Sequence, residues 1–306
     1  MEKKNSNPIQ ISSISQLHGL LQLPKPLHPM LSIVDNTKMV VNTELISSSF
    51  LLGFYKISYK FSTCGKMGYG QGYYDFNEGG LMFTAPNQLI FIDDDNDVEY
   101  CGYTLFFHPD FIRNYQLGKS IKKYGFFSYA TNEALHLSDN EKKLIIGLLD
   151  NIDNELHTAI DEISQDVIVS YIEVLLNYSN RFYKRQFITR KLVNNDLLVK
   201  TEQILTNYFN DATTLKSGLP TVEFLASQVN VSTHYLSDLL RNLTGQNAQQ
   251  HIHIRLIEKA KEYLISTNLT VAEIAYQLGF EYPQSFNKLF KKKTNLTPME
   301  FKSSLN

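Results

Sequence analysis

Eight polar side chains stand in two sets that share one spacing. His234, Ser237, Asp238 and Arg241 fall at i, i+3, i+4 and i+7, and Gln284, Asn287, Lys288 and Lys291 repeat the pattern 50 positions on. On a helix such positions share one face. The carboxamides of Gln284 and Asn287 can pair bidentately with adenine, and the Lys288 ammonium can meet guanine or phosphate. A carboxylate such as Asp238 only accepts hydrogen bonds, so it suits a cytosine amino group or excludes other bases. No nucleophile–base pair, paired carboxylate or metal cluster with workable spacing accompanies them. No catalytic residue, metal or cofactor is therefore expected.

The elements that must hold these sets are written in an internal repeat. Val222, Leu225, Ala226, Val229 and Val231 recur 49 positions on as Val271, Ile274, Ala275, Leu278 and Phe280. After one inserted residue, Leu236, Leu239, Leu240, Thr244 and Gly245 recur 50 positions on as Phe286, Leu289, Phe290, Thr294 and Asn295. The insertion falls at the expected turn, where length changes are tolerated. Thr270 with Glu273 predicts a capping box, Gly279 a left-handed helix end, and Pro283 the first position of the next helix. Thr221 and Ser232 are the matching N-caps of the first copy. Thr297-Pro298-Met299-Glu300 starts a last short helix. Ile252, Leu256, Ala260 and Leu264 repeat at i+4, so about 248–265 is one amphipathic helix between two helix-turn-helix units at 221–245 and 270–295.

This stretch resembles the DNA-binding domain of the AraC/XylS family of bacterial transcription regulators. The likeness is carried by Ala226, Ser232, Tyr235-Leu236, Thr244-Gly245, Arg255-Leu256, Ala260, Leu264, Val271, Ile274-Ala275, Leu278-Gly279-Phe280, Phe286, Phe290-Lys291 and Thr297-Pro298. It covers about the last hundred residues. Two positions depart from the pattern. Asn295 stands where the family usually has Gly, and Asn is the next-best residue for a left-handed turn. Asp238 stands where a neutral or basic residue is commoner, which puts base reading by the first unit in question. The resemblance implies that His234, Ser237 and Asp238 face the bases in the first unit, and Pro283, Gln284, Asn287 and Lys288 in the second. Arg241, Lys291 and Arg255 take phosphate or structural roles. It implies double-stranded DNA as a partner, a small-molecule effector, a homodimer, RNA polymerase, and activation as the sign of regulation.

Composition bounds the rest. A chain of 306 residues suggests two domains, here 1–190 for effector sensing and dimerisation and 196–306 for DNA binding. No apolar run approaches a membrane span, and the polar N-terminus lacks a signal-peptide core, so a cytoplasmic protein is expected. Net charge is −2, which by itself would not suggest a nucleic-acid binder. Cys64 and Cys101 fit a reducing compartment as small side chains; as a redox pair they match no motif.

The first domain shows strand alternation from Phe54. Tyr55, Ile57, Tyr59 and Phe61 point one way, and Lys56, Ser58 and Lys60 the other, which predicts a half-buried strand. Residues 73–76, 81–84, 88–92 and 103–107 read as further short strands, with turns at 78–80 and 93–97 and a hairpin over Gly65 to Gly72. Their spacing suggests a small antiparallel barrel or sandwich; family likeness sharpens that to a cupin-like sensor. No His lies between Phe54 and Phe107, so a metal-dependent cupin activity is not expected. A ligand cavity lined by Tyr55, Tyr59, Tyr73 or Phe83 is one reading, and a filled core the other. Two amphipathic helices follow, one from Ser138 with Leu144, Ile145, Leu148, Leu149, Ile152 and Leu156, the other over about 161–183. They either cover the barrel or form the dimer interface. The expected fold class is α+β, and the expected function a sequence-specific regulator. The competing reading is a small-molecule-binding enzyme, or an interaction module, with a DNA-binding appendage.

Overall fold

The computed structural model describes residues 8–40, 49–61, 67–69, 72–74, 79–91, 101–130, 133–158, 161, 163–189, 191–210 and 213–304. The chain is α+β and divides into two units, Met1–Gln186 and Phe187–Asn306.

The first unit begins with β1 (Ile9–Ile11), α1 (Ile14–Leu20), β2 (Leu31–Asp35), β3 (Ser49–Leu52) and β4 (Tyr55–Lys60). It continues with β5 (Met67–Tyr69), β6 (Gly72–Tyr74), β7 (Gly80–Thr84), β8 (Leu89–Phe91) and β9 (Tyr103–Phe107). Then come α2 (Pro109–Ile112), α3 (Gln116–Ser120), β10 (Leu135–His136), α4 (Asp139–His157) and α5 (Ser164–Thr189). Strands pair in the orders β10-β7-β4-β9-β2, β1-β3-β8 and β5-β6. The pairing of β1 with β3 is parallel, a departure from the all-antiparallel expectation. The region before residue 45, which shows little periodicity, holds β1, α1 and β2. The turn at 93–97 and residues 65, 66, 70 and 71 of the expected hairpin lie outside the described residues, while 67–69 and 72–74 pair antiparallel as β5 and β6.

The strand β4 is buried on both faces, where one wet face was expected. Tyr59 is 2% and Ile57 0% exposed, but Ser58 is also 4% and Lys60 7% exposed. The cause is position. β4 is the middle strand of the five-stranded sheet. Its tyrosine face meets a layer in which Tyr55 stacks on Phe107 at 5.0 Å and touches Phe127 at 5.1 Å. Its other face is shared with Phe106, which packs with Phe50 and Leu52 of β3 and Ile90 of β8.

The helix α4 starts on the expected capping box, with the Ser138 amide donating to Glu141 at 2.8 Å. Ile145, Ile152, Ile172 and Leu176 are fully buried inside the unit, so this stripe covers the unit's own core. Arg185 forks onto Glu141 at 2.8 and 2.9 Å and also donates to the His136 carbonyl. Phe182 and Tyr183 beside it are buried. Cys101 is disulfide-bonded, which corrects the expectation of unlinked small side chains; the chain's other cysteine, Cys64, lies outside the described residues. No described helix is long and apolar enough to cross a membrane.

The second unit is all helix. Its elements are α6 (Lys191–Asn210), α7 (Thr213–Ser217), α8 (Val222–Gln228), α9 (Thr233–Thr244), α10 (Ala248–Ser266), α11 (Val271–Gln277), α12 (Pro283–Thr294) and α13 (Pro298–Ser303). The unit begins earlier than residue 196. Phe187 packs on Tyr235 of α9 at 5.3 Å between ring centroids, and the Asn194 amide donates to the Phe187 carbonyl at 2.6 Å. α6 accordingly runs straight through the expected boundary at 193–195.

Candidate nucleic-acid interface

Each helix-turn-helix copy is built by the same local devices. Thr221 accepts from the Phe224 amide at 3.0 Å and starts α8; Ser232 accepts from the Tyr235 amide at 3.2 Å and starts α9. In the second copy Thr270 and Glu273 close the predicted capping box at 3.2 and 2.7 Å. The Thr270 amide, and then its hydroxyl, donate to the Glu273 carboxylate at 2.7 Å each and hold its pKa below the usual range, which keeps the cap ionised. Pro283 is the first residue of α12, whose preceding Tyr282 gives no side-chain cap. α9 and α12 both end in left-handed residues, Gly245 at φ 79° and Asn295 at φ 63°. The Asn departure thus keeps the turn that Gly makes elsewhere.

One core joins both copies. Leu236 and Leu240 of α9, Phe286 and Phe290 of α12, and Ile252, Leu256 and Ala260 of α10 all pack in it. Burial of these inner faces turns the other faces out. His234 and Arg241 are exposed, and Ser237 and Asp238 are half-buried. Gln284, Asn287, Lys288 and Lys291 are all exposed, and Pro283 is half-buried. Each polar set therefore occupies one outer helix face.

The two faces differ in charge. Asp238 holds Arg241 in an i, i+3 ion pair at 2.8 Å, so α9 presents a neutral pair. α12 carries Lys288, Lys291, Lys292 and Lys293 and no acid. Three of these lie in its last turn, where the helix dipole also favours cations. On α10, burial lowers the His253 pKa first, and Lys293 and Lys292 lower it further. Arg255 donates to Thr206 of α6 at 2.7 Å and pairs with Glu258 at 2.8 Å, a structural engagement. Sequence reasoning passed over Tyr282, an aromatic ring 64% exposed at the N-terminus of α12. The available signal was its place directly before the N1 proline.

A first expected result follows from the ion pair. Asp238→Asn releases Arg241 for phosphate. Affinity for every duplex should rise, and the slope of log K against log salt should steepen by about one. A titration of wild type and variant on one scrambled duplex at several salt concentrations checks this; an unchanged slope means Arg241 does not reach the backbone.

Of the four residues expected to line a ligand cavity in the first unit, Tyr55, Tyr59 and Phe83 are buried. Tyr55 and Tyr59 are buried in the aromatic layer, and Phe83 packs on Phe126 at 4.4 Å. Phe83 also borders a cavity of about 80 Å³ with Met82, Thr84 and Tyr129. The Tyr73 side chain lies outside the described residues. A wider groove of about 490 Å³ is lined by His18, Ser32, Asp35, Tyr103, Asp153 and His157. Among the described residues no three His, Cys, Asp or Glu side chains are grouped to hold a metal.

Two helix-turn-helix copies on one linking helix, each with an outward polar face, define a double helix-turn-helix DNA-binding unit. Comparison with known proteins agrees: the helix-turn-helix domain family matches residues 225–304. The chain is 35% identical to an HTH-type transcriptional regulator of Pseudoalteromonas carrageenovora over 99 residues, 32% of this chain and 54% of the relative. It is 32% identical to the xylose operon regulatory protein of Escherichia coli strain K12 over 81 residues, 26% of this chain and 21% of the relative. Among solved structures it is similar to the C-terminal domain of AraT, a response regulator from Geobacillus stearothermophilus. That similarity is at 27% identity, covers 35% of this chain and 84% of that chain, and has a TM-score of 0.31. The match thus spans about half, or about a fifth, of these two curated relatives' length. Residues 225–304 are thus a helix-turn-helix domain of the AraC type, similar to the corresponding part of these regulators.

Proposed function

We propose that the protein is a sequence-specific transcription regulator that reads DNA mainly through α12. The observation that carries this is the exposed row Gln284, Asn287, Lys288 and Lys291 on one face of a capped, well-buried helix. Such a helix fits the major groove, where base edges present distinct donor and acceptor patterns. The amides read bases, Lys291 holds phosphate, and Pro283 sets where the helix enters. His234, Ser237 and Asp238 form the weaker, charge-neutral reader of the first unit. Two units on α10 suit successive major grooves about one helical turn apart. RNA polymerase is the partner through which activation would act, and the cytoplasm the compartment.

The first unit is read as a cupin-like sensor of a small molecule and as the homodimerisation unit. With Ile152, Ile172 and Leu176 buried, the dimer surface falls to the outer side of α5. Tyr171 and Tyr178 are half-buried there, and Val174 is 39% exposed between them. Val174→Glu should weaken dimerisation at least tenfold by placing a carboxylate in an apolar interface. Sedimentation velocity from ~1 to 100 μM measures this; a wild type that stays monomeric throughout, or a variant that dimerises equally well, removes the interface.

The function itself is tested by footprinting genomic DNA fragments with purified full-length protein. Protected sites of two blocks about one helical turn apart are expected. Uniform weak protection of all fragments would contradict the proposal.

A further inference from the structure

The groove of about 490 Å³ in the first unit has the size of a small-molecule site. It is lined by α4, by residues 32–35 of β2 and by the segment 23–27. Two features fix that segment. Pro24 and Pro26 lock φ at two of its five positions and remove two amide donors, so it cannot continue as helix. His18 then pins it. Its Nδ1 donates to the Pro24 carbonyl at 2.5 Å, and its Nε2 meets the Ser32 hydroxyl at 2.9 Å. A carbonyl only accepts, so Nδ1 carries the proton. His18 and Ser32 are 6% and 4% exposed, which makes this brace part of the groove's buried base. A wall fixed before binding costs less to order on binding.

The rest of the base is apolar: Val34, Leu149 and Leu156 are 5%, 2% and 6% exposed. Five charged side chains also line the groove, Asp35, Asp150, Asp153, Lys25 and Lys38. Burial decides between their signs. Asp35 and Asp153 are half-buried, whereas Asp150, Lys25 and Lys38 are exposed. Exposed ammonium groups on long stems are screened by water, and partly buried carboxylates are screened less. The groove therefore favours positive charge. Thr37 donates to Asp35 through its amide at 3.0 Å and its hydroxyl at 2.7 Å, which orients the carboxylate without neutralising it. The His157 Nδ1 donates to the Asp153 carbonyl at 2.8 Å and stays 3.6 Å from the Asp153 carboxylate. Tyr103, half-buried at the same groove, adds an aromatic ring, which attracts cations.

We propose that the effector of the first unit is a small ammonium compound with an apolar body, held in this groove. Its ammonium pairs with Asp35 and Asp153, and its body covers Val34, Leu149 and Leu156. The inference rests on the reading of the unit as a sensor.

The test is thermal melting of full-length protein at pH 7 and equal ionic strength, with n-butylamine, norleucine, methylamine or butyrate. For ~10 mM probe and a dissociation constant of ~1 mM, n-butylamine or norleucine raises the melting temperature by about 3–6 °C. The stronger of the two says whether the ammonium comes on a plain amine or on an amino acid. Methylamine lacks the apolar body and butyrate the positive charge, so neither matches that rise. An equal rise with either of them overturns the proposal, and so does no rise with both n-butylamine and norleucine. The double variant Asp35→Asn, Asp153→Asn keeps the cap on Thr37, because Asn caps as well as Asp. It should melt like wild type and lose the response. The double variant Lys25→Gln, Lys38→Gln should keep the response to whichever probe acts. A response retained in the first variant, or lost in the second, overturns the site. Footprinting without ligand tests the regulator separately. Specific protection with no amine response sinks the groove alone, whereas uniform protection of all fragments sinks the regulator whatever the amines do.

Discussion

Gly279→Ala is expected to destabilise the C-terminal unit by roughly 2–5 kcal/mol. Two terms add. Gly279 has φ 90°, outside the range that L side chains favour, and a left-handed residue costs about 1–2 kcal/mol. A Cβ there would also lie 2.7 Å from the Gly218 carbonyl carbon and 2.9 Å from its oxygen. Those atoms are backbone and cannot rotate away, so overpacking adds about 1–3 kcal/mol. The contact matters because it seats the turn of the second helix-turn-helix copy on the loop after α7, and the Thr214 hydroxyl of α7 also donates to the Gln277 carbonyl at 2.7 Å. Shifting that turn moves α12 and its whole reading face. Gly245→Ala is the control: φ is 79° but no atom lies within 4 Å of the added carbon. Thermal melting of both full-length variants should place Gly279→Ala lower by on the order of 10 °C. Equal melting temperatures would show that the Gly218 contact yields without cost.

Much of this architecture is legible in residue order, and the reason is local. Capping boxes, the αL residues and the N1 proline act within four positions, so α8 to α13 can be read from spacing alone. Asn295 illustrates it: a single substitution for Gly keeps φ at 63°. The outer faces follow once Leu236, Leu240, Phe286 and Phe290 are assigned inward. What is not legible depends on distant partners. β1 and β3 are three and four residues long and pair in parallel, which no period-two pattern announces. Alternation in β4 identifies two faces but cannot say that a second sheet covers the lysine face. Ile152, Ile172 and Leu176 are apolar for the unit's own core, and helix periodicity does not distinguish that core from a partner's. The Asp238–Arg241 pair needs a rotamer, which spacing permits but does not assign.

On the proposed function, α12 reads bases through its amides and holds phosphate through its lysines. Gln284→Ala removes a base-edge partner and Lys291→Ala a backbone contact, so the two variants should fail differently. The direct measurement titrates full-length wild type and each variant on the best footprinted duplex and on a scrambled one, at several salt concentrations. Gln284→Ala should lose roughly 1–3 kcal/mol on the specific duplex and little on the scrambled one. Lys291→Ala should lose similar affinity on both, and its salt slope should shrink by about one. If Gln284→Ala weakens both duplexes equally, α12 does not read sequence through that position, and the assignment of its outer face to the bases is wrong.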